Sequence, residues 1–147
     1  MRIEGIDHVH IEVADRAAAT AWYSDVLGLV PEPSLARWAD DPGGPLILGV
    51  PGVGPALSLF ERAPRQTRRD STVAFRLRAQ AFLRFLDSLS TRTLRTKQGA
   101  RLTRDHIVDH GLSWSIYFVD LDENPLELTT YDYTCVARAL DAPRPKG

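Results

Sequence analysis

His8, His10 and Glu127 are the side chains of this sequence best suited to hold a divalent ion. An imidazole nitrogen and a carboxylate oxygen brought together on a curved sheet fit such an ion. His8 and Glu127 alone fall short of the four ligands of a closed structural site and of the three usual in a catalytic one. His10 lies two residues from His8, shares its face of a strand, and offers a third nitrogen. The competing reading makes each histidine an ordinary pocket or surface residue.

His106 and His110 have the ionisation range for proton transfer near neutral pH. For His106 a loop histidine in a hydrogen bond is the preferred reading. Tyr117 and Tyr131 read as core or pocket aromatics whose hydroxyls can orient a ligand. Trp38 stands in a Pro- and Gly-rich passage, where pocket lining is credible. Cys135 has no local base and reads as inert. Glycines 43, 44, 52 and 54 follow no phosphate-loop spacing, so nothing supports nucleotide binding.

The elements that must position these residues are legible as periodicities. Ile6 to Val13 alternates as a strand, with Val9, Ile11 and Val13 apolar and His8, His10 and Glu12 opposite. Asp15 is a helix N-cap, Ala17 to Leu27 is a helix with Ala18, Ala21, Trp22 and Val26 on its apolar side, and Gly28 caps its end. Pro45 to Val50 and Ala56 to Phe60 are short strands turned by Gly52 and Gly54. The plan then repeats. Thr72 to Leu77 is a strand, Ala81 to Leu89 a helix with Phe82, Phe85, Leu86 and Leu89 in one stripe, and Ser90 to Arg104 a polar connection. In the closing hairpin Ser115 and Tyr117 share a face with Glu127 and Thr129 if the register holds, on either side of an acidic turn at Asp120 to Asn124. A short helix from Tyr133 to Leu140 and a frayed tail from Pro143 complete the chain. Two such halves predict an α+β fold, since neither buries its sheet alone.

A chain of 147 residues suits one domain, and 44% hydrophobic with 25% charged residues is ordinary for a globular protein. A net charge of -1 gives no field for nucleic acid or an anionic membrane. The basic runs Arg62 to Arg69 and Arg92 to Arg104 read as solvated loop charge. A single cysteine excludes an internal disulfide, and no apolar run approaches the roughly 20 residues of a membrane helix. Acidic residues at 4, 7 and 12 break up any leader pattern, so a cytoplasmic protein is expected.

Taken together, Asp7-His8-Val9, Trp22-Tyr23 through Leu27-Gly28-Leu29, and Ser115-Ile116-Tyr117-Phe118-Val119-Asp120 through Asn124 to Glu127 resemble the vicinal oxygen chelate superfamily over residues 3 to 133. That group includes glyoxalases, fosfomycin-resistance enzymes, extradiol dioxygenases and bleomycin-binding proteins. The resemblance implies two βαβββ modules, about residues 3–63 and 70–133, in a single domain 1–135 with a tail 136–147. They would form a curved, mostly antiparallel sheet around a cleft. It also implies metal ligands at His8 and Glu127, with Mn, Fe, Zn or Ni as the ion. Thr72 stands where the metalloenzymes carry His, and a hydroxyl is a poor substitute for imidazole on such ions. The fourth corner falls on Ser58. His110 matches a histidine near bound oxygen in extradiol dioxygenases, and Tyr117 a substrate-contacting tyrosine. The turn Asp120-Leu121-Asp122-Glu123-Asn124 replaces the usual Asp-Pro-Asp-Gly-Asn.

Two functions follow. One is a metal-dependent lyase, dioxygenase or isomerase acting on a small oxygen-rich or aromatic substrate, with His110 and Tyr117 moving protons. Substrate contacts would come from His10, Trp38, Ser58, Thr72, Ser115 and Tyr131. The other is a metal-free protein of the bleomycin-resistance type that sequesters a small antibiotic-like molecule. A domain that has lost both activities is the blander option. A homodimer is expected under any of them.

Overall fold

The computed structural model describes residues 7–63 and 71–141. The start of the first predicted strand at Ile6, most of the basic run Arg62 to Arg69, and the tail from Pro143 lie outside the described residues. The chain divides into two compact units. The first holds the residues up to position 63 together with Asp120–Asn124, and the second holds those from position 71 to Val119 and from Pro125 onward.

In the first unit β1 (Val9–Val13) leads into helix α1 (Arg16–Leu27), then β2 (Val30–Pro31), a 3-10 segment (Pro33–Asp40), β3 (Leu46–Val50) and β4 (Gly54–Glu61). The sheet order is β1-β4-β3-β2. β1 runs parallel to β4, a pairing that requires a long crossover, and the other pairs are antiparallel. Asp15 caps α1 by accepting from the Ala18 N–H at 2.9 Å, and Gly28 ends it in the left-handed conformation. The buried residues of α1 are Ala19 and Tyr23, one turn apart. This corrects the predicted stripe: Ala18 and Ala21 are exposed and Trp22 and Val26 are only half-buried. The large Tyr23 ring fixes the helix rotation because its hydroxyl finds a partner in the interior, donating to Asp120 at 2.7 Å.

Asp120 is 4% exposed and also accepts from the Asn124 side-chain amide (2.6 Å) and from the Asn124 and Asp122 N–H groups (2.7 and 2.9 Å). The 120–124 segment is tied to β1 as well. Asn124 donates to the Glu12 carbonyl, and Asp122 accepts from the Ala14 N–H.

The second unit repeats the plan. β5 (Val73–Arg76) is followed by α2 (Ala79–Ser88), β6 (Ile107–Asp109), β7 (Trp114–Val119), β8 (Pro125–Thr130) and α3 (Tyr133–Asp141). Its sheet order is β5-β8-β7-β6, the first unit's order again, with β5 parallel to β8. The fold is α+β, built as two βαβββ modules. On α2 the predicted stripe is the observed one: Phe82, Phe85 and Leu86 are buried, and the Phe85 ring meets Phe118 at 5.6 Å. Each such ring contributes about 1.5–3 kcal/mol by its removal from water. The connection from Ser90 to Arg104 is not simply polar. Leu94 and Leu102 are buried in it, the Leu102 N–H donates to the Leu94 carbonyl at 2.8 Å, and Arg95 bridges to Val119. Arg104 departs from the solvated reading too, since it pairs with Asp87 at 2.7 Å. Cys135 is exposed on α3. Among the described residues no helix is long and apolar enough to cross a membrane.

Candidate functional site

Alternation along β7 and β8 puts the predicted polar group on one face of the second unit's sheet. Tyr117 pairs with Glu127 and Ser115 with Thr129, the register that the sequence pattern requires. Ser115 is fully buried, donates to Glu127 Oε1 at 2.7 Å, and lies 3.0 Å from Thr129 Oγ1. One carboxylate oxygen of the half-buried Glu127 is thereby held in place.

The Tyr117 hydroxyl lies 3.0 Å from His110 Nε2, the two rings edge to face. Burial and, after it, the charge of Glu127 across the strand pair raise the Tyr117 phenol above its ordinary pKa. The phenol therefore stays protonated at neutral pH. A tight turn carries His110: its N–H donates to the Ser113 carbonyl at 3.0 Å, and Gly111 takes a φ of 78° that glycine adopts without strain.

Thr72 lies two residues before Ala74, the parallel partner of Glu127, and so on the same sheet face. With Tyr117 it lines a cavity of about 470 Å³ that Lys97, Gln98 and His106 also border, over an apolar floor that includes Phe118 and Leu126. Lys97 and Gln98 were not singled out by the sequence. They sit in a turn closed by the Gly99 N–H on the Thr96 carbonyl at 2.9 Å, inside a stretch whose composition resembles any solvated connection. His106 makes the hydrogen bond expected of it, accepting at Nδ1 from the Thr103 N–H at 3.1 Å. Tyr131 is not a core residue: it is 59% exposed, beneath the Arg76 guanidinium at 5.3 Å.

The first unit holds the other candidates. His8 directly precedes β1, and its Nδ1 meets Asp7 Oδ2 at 2.5 Å. Its Nε2 lies 3.0 Å from Nε2 of His10, with the two rings stacked. His10 is the register partner of Ser58, whose buried Oγ has no hydrogen-bond partner. Trp38 sits on the Pro33–Asp40 segment, 41% exposed, and is not part of the histidine stack.

No family model matches the sequence, and neither does any of the curated proteins. Solved structures do. The fosfomycin resistance protein FosX of Listeria monocytogenes, complexed with Mn(II) and sulfate, superposes with a TM-score of 0.63 over 95% of this chain and 99% of its own, at 16% identity. A protein of Bacillus anthracis assigned to the glyoxalase family gives 0.62 at 18% identity over 90% and 98%. The oxidase ChaP-H2 gives 0.64 at 19% identity over 88% and 94%. The chain has the vicinal oxygen chelate fold.

The donors that the vicinal oxygen chelate fold offers a divalent ion can be tested against the side chains present. Among the described residues no three or more His, Cys, Asp or Glu are grouped to hold one. His8 carries a carboxylate on Nδ1, an arrangement known behind metal-binding imidazoles, and its Nε2 is in contact with Nε2 of His10. Glu127 has one oxygen held by Ser115 and faces the Tyr117 phenol across the strand pair.

Proposed function

We propose that this chain is a metal-dependent enzyme of the vicinal oxygen chelate type, acting on a small oxygen-rich or aromatic molecule. The observation that carries the reading is the array on the second unit's sheet: Glu127 anchored by Ser115, beside a Tyr117 phenol hydrogen-bonded to His110. A phenol within hydrogen-bond distance of an imidazole, beside an anchored carboxylate, suits a site that orients a substrate oxygen or moves a proton at it.

His8 and Glu127 are the proposed ligands, and a divalent ion held by them would supply Lewis acidity to substrate oxygens. The Tyr117 hydroxyl takes up a proton from the substrate as it passes its own to His110 Nε2, which becomes an imidazolium. Thr72 offers a hydroxyl for positioning, the buried Ser115 acts only by holding Glu127, and Tyr131, Trp38 and His10 offer ring faces and edges. The protein is proposed to work as a homodimer. Sedimentation at micromolar concentration tests this, and a species of 16.4 kDa would overturn it.

The deciding experiment is ligand-observed NMR with a panel of α-hydroxyketones, catechols and phosphonates, on metal-free and Mn²⁺-loaded protein. The enzyme reading expects capture that depends on the ion. Equal capture with and without it would overturn this reading in favour of a metal-free binding protein.

A further inference from the structure

We infer that Arg76 anchors an acidic substrate, binding its carboxylate on the sheet face that carries Tyr117 and Glu127. The inference rests on the site proposed above and adds the substrate class, a small organic acid. Arg76 pairs in register with Thr129, two residues along β5 from Ala74, the partner of Glu127. Alternation therefore sends the Arg76, Ala74 and Glu127 side chains off one face, and Tyr117 joins them through its own pairing with Glu127. With strands about 4.8 Å apart and about 3.3 Å per residue, the Arg76 and Tyr117 Cα atoms stand roughly 12 Å apart. A single small acid can touch both side chains at that separation. Ala74, beside Glu127, is exposed and carries only a methyl group, which leaves room over β5 for such a molecule.

The surroundings favour an anion anchor over a neutralised surface charge. The Arg76 guanidinium lies over the Tyr131 ring at 5.3 Å, which orders it while leaving its N–H groups free to donate. That planar fork matches the two oxygens of a carboxylate. The acids that the same strands bring to this end of the sheet are already engaged. Glu127 accepts from Ser115 at 2.7 Å, and Asp132 caps α2 by accepting the Ala79 N–H at 2.8 Å. Among the described residues the partner of the guanidinium is the Tyr131 ring alone. β5 is an edge strand of its sheet, so Arg76 stands at the rim of the face, where a fixed positive charge draws anions inward.

The test is NMR titration of the metal-free full chain with benzoate and 3,4-dihydroxybenzoate, each compared with its uncharged amide, following the arginine Nε–H signals. Wild type is expected to bind each acid at least about fivefold more tightly than its amide, the upper range for an exposed charge pair, and to shift the Arg76 signal. Arg76→Gln is expected to lose that preference, whereas Arg84→Gln, which removes an exposed charge from α2, should keep it. Arg76 is exposed, so its variant should keep the far-UV circular dichroism of wild type. Equal binding of acid and amide by wild type, no binding of either acid, or a preference that survives Arg76→Gln would overturn the anchor. So would a preference lost equally in Arg84→Gln, which would trace it to net charge. None of these results touches the ion-dependent capture by which the proposed function is judged, because the titration is made without metal. Capture that is equal with and without Mn²⁺, with the acid preference intact, would overturn that function alone.

Discussion

Tyr23 and Asp120, separated by 97 positions, meet in a buried hydrogen bond of 2.7 Å, the phenol donating to the carboxylate. Burial raises the Asp120 carboxyl above its ordinary value of 3.8, while the Asn124 and Tyr23 side chains and the backbone N–H groups of Asn124 and Asp122 pull it back down. A raised carboxyl favours the protonated native state, so its contribution to stability is present below the ordinary value and is lost as pH rises through the raised one.

Tyr23→Phe removes one donor from this carboxylate. We expect a loss of about 1.5–3 kcal/mol at pH 7, the range for a hydrogen bond to a charged group, read from urea unfolding. Near pH 4 the loss should shrink, because a neutral carboxyl gains less from a donor. Equal losses at both pH values would mean that Asp120 is not the partner that matters.

Among the described residues Glu123 is the one non-glycine at positive φ, 63°, in the turn where the resembled family carries glycine. The left-handed conformation costs a side-chain-bearing residue about 1–2 kcal/mol, partly offset because glycine loses more freedom on folding. Glu123→Gly should therefore stabilise the chain by roughly 0.5–1 kcal/mol, visible as a higher thermal midpoint. A lower midpoint would show that the Glu123 side chain contributes more than the strain it bears.

The Tyr117 phenol should titrate lower in Glu127→Gln, because the substitution removes a negative charge that opposes phenolate formation. NMR with ¹³Cζ-labelled tyrosine separates Tyr117 from the other three tyrosines of the chain. An unchanged Tyr117 titration would break the link between the strand pair and the phenol.

Much of this was legible in the sequence wherever periodicity and cap chemistry agreed. The α2 stripe, the Asp15 and Gly28 caps and the β7–β8 register follow from spacing alone. The face of α1 did not, because apolar spacing ranks Ala18 and Ala21 with Tyr23. Only the distant Asp120 shows which side must turn inward. Leu94 and Leu102 were hidden for a similar reason, being single apolar residues in a charged stretch that pair across a turn. At the site, the shared face of Ser115, Tyr117, Glu127 and Thr129 was readable from alternation. The Lys97 rim and the close approach of the His8 and His10 nitrogens depend on turn geometry and side-chain rotation, which no pattern of residue types specifies.

Calorimetric titration of metal-free protein with Mn²⁺, on wild type, His8→Ala and Glu127→Gln, tests the central claim most directly. The account predicts one ion per chain in wild type and binding at least about tenfold weaker in each variant. Wild type that takes up no ion, or a Glu127→Gln variant that binds as wild type does, would contradict it.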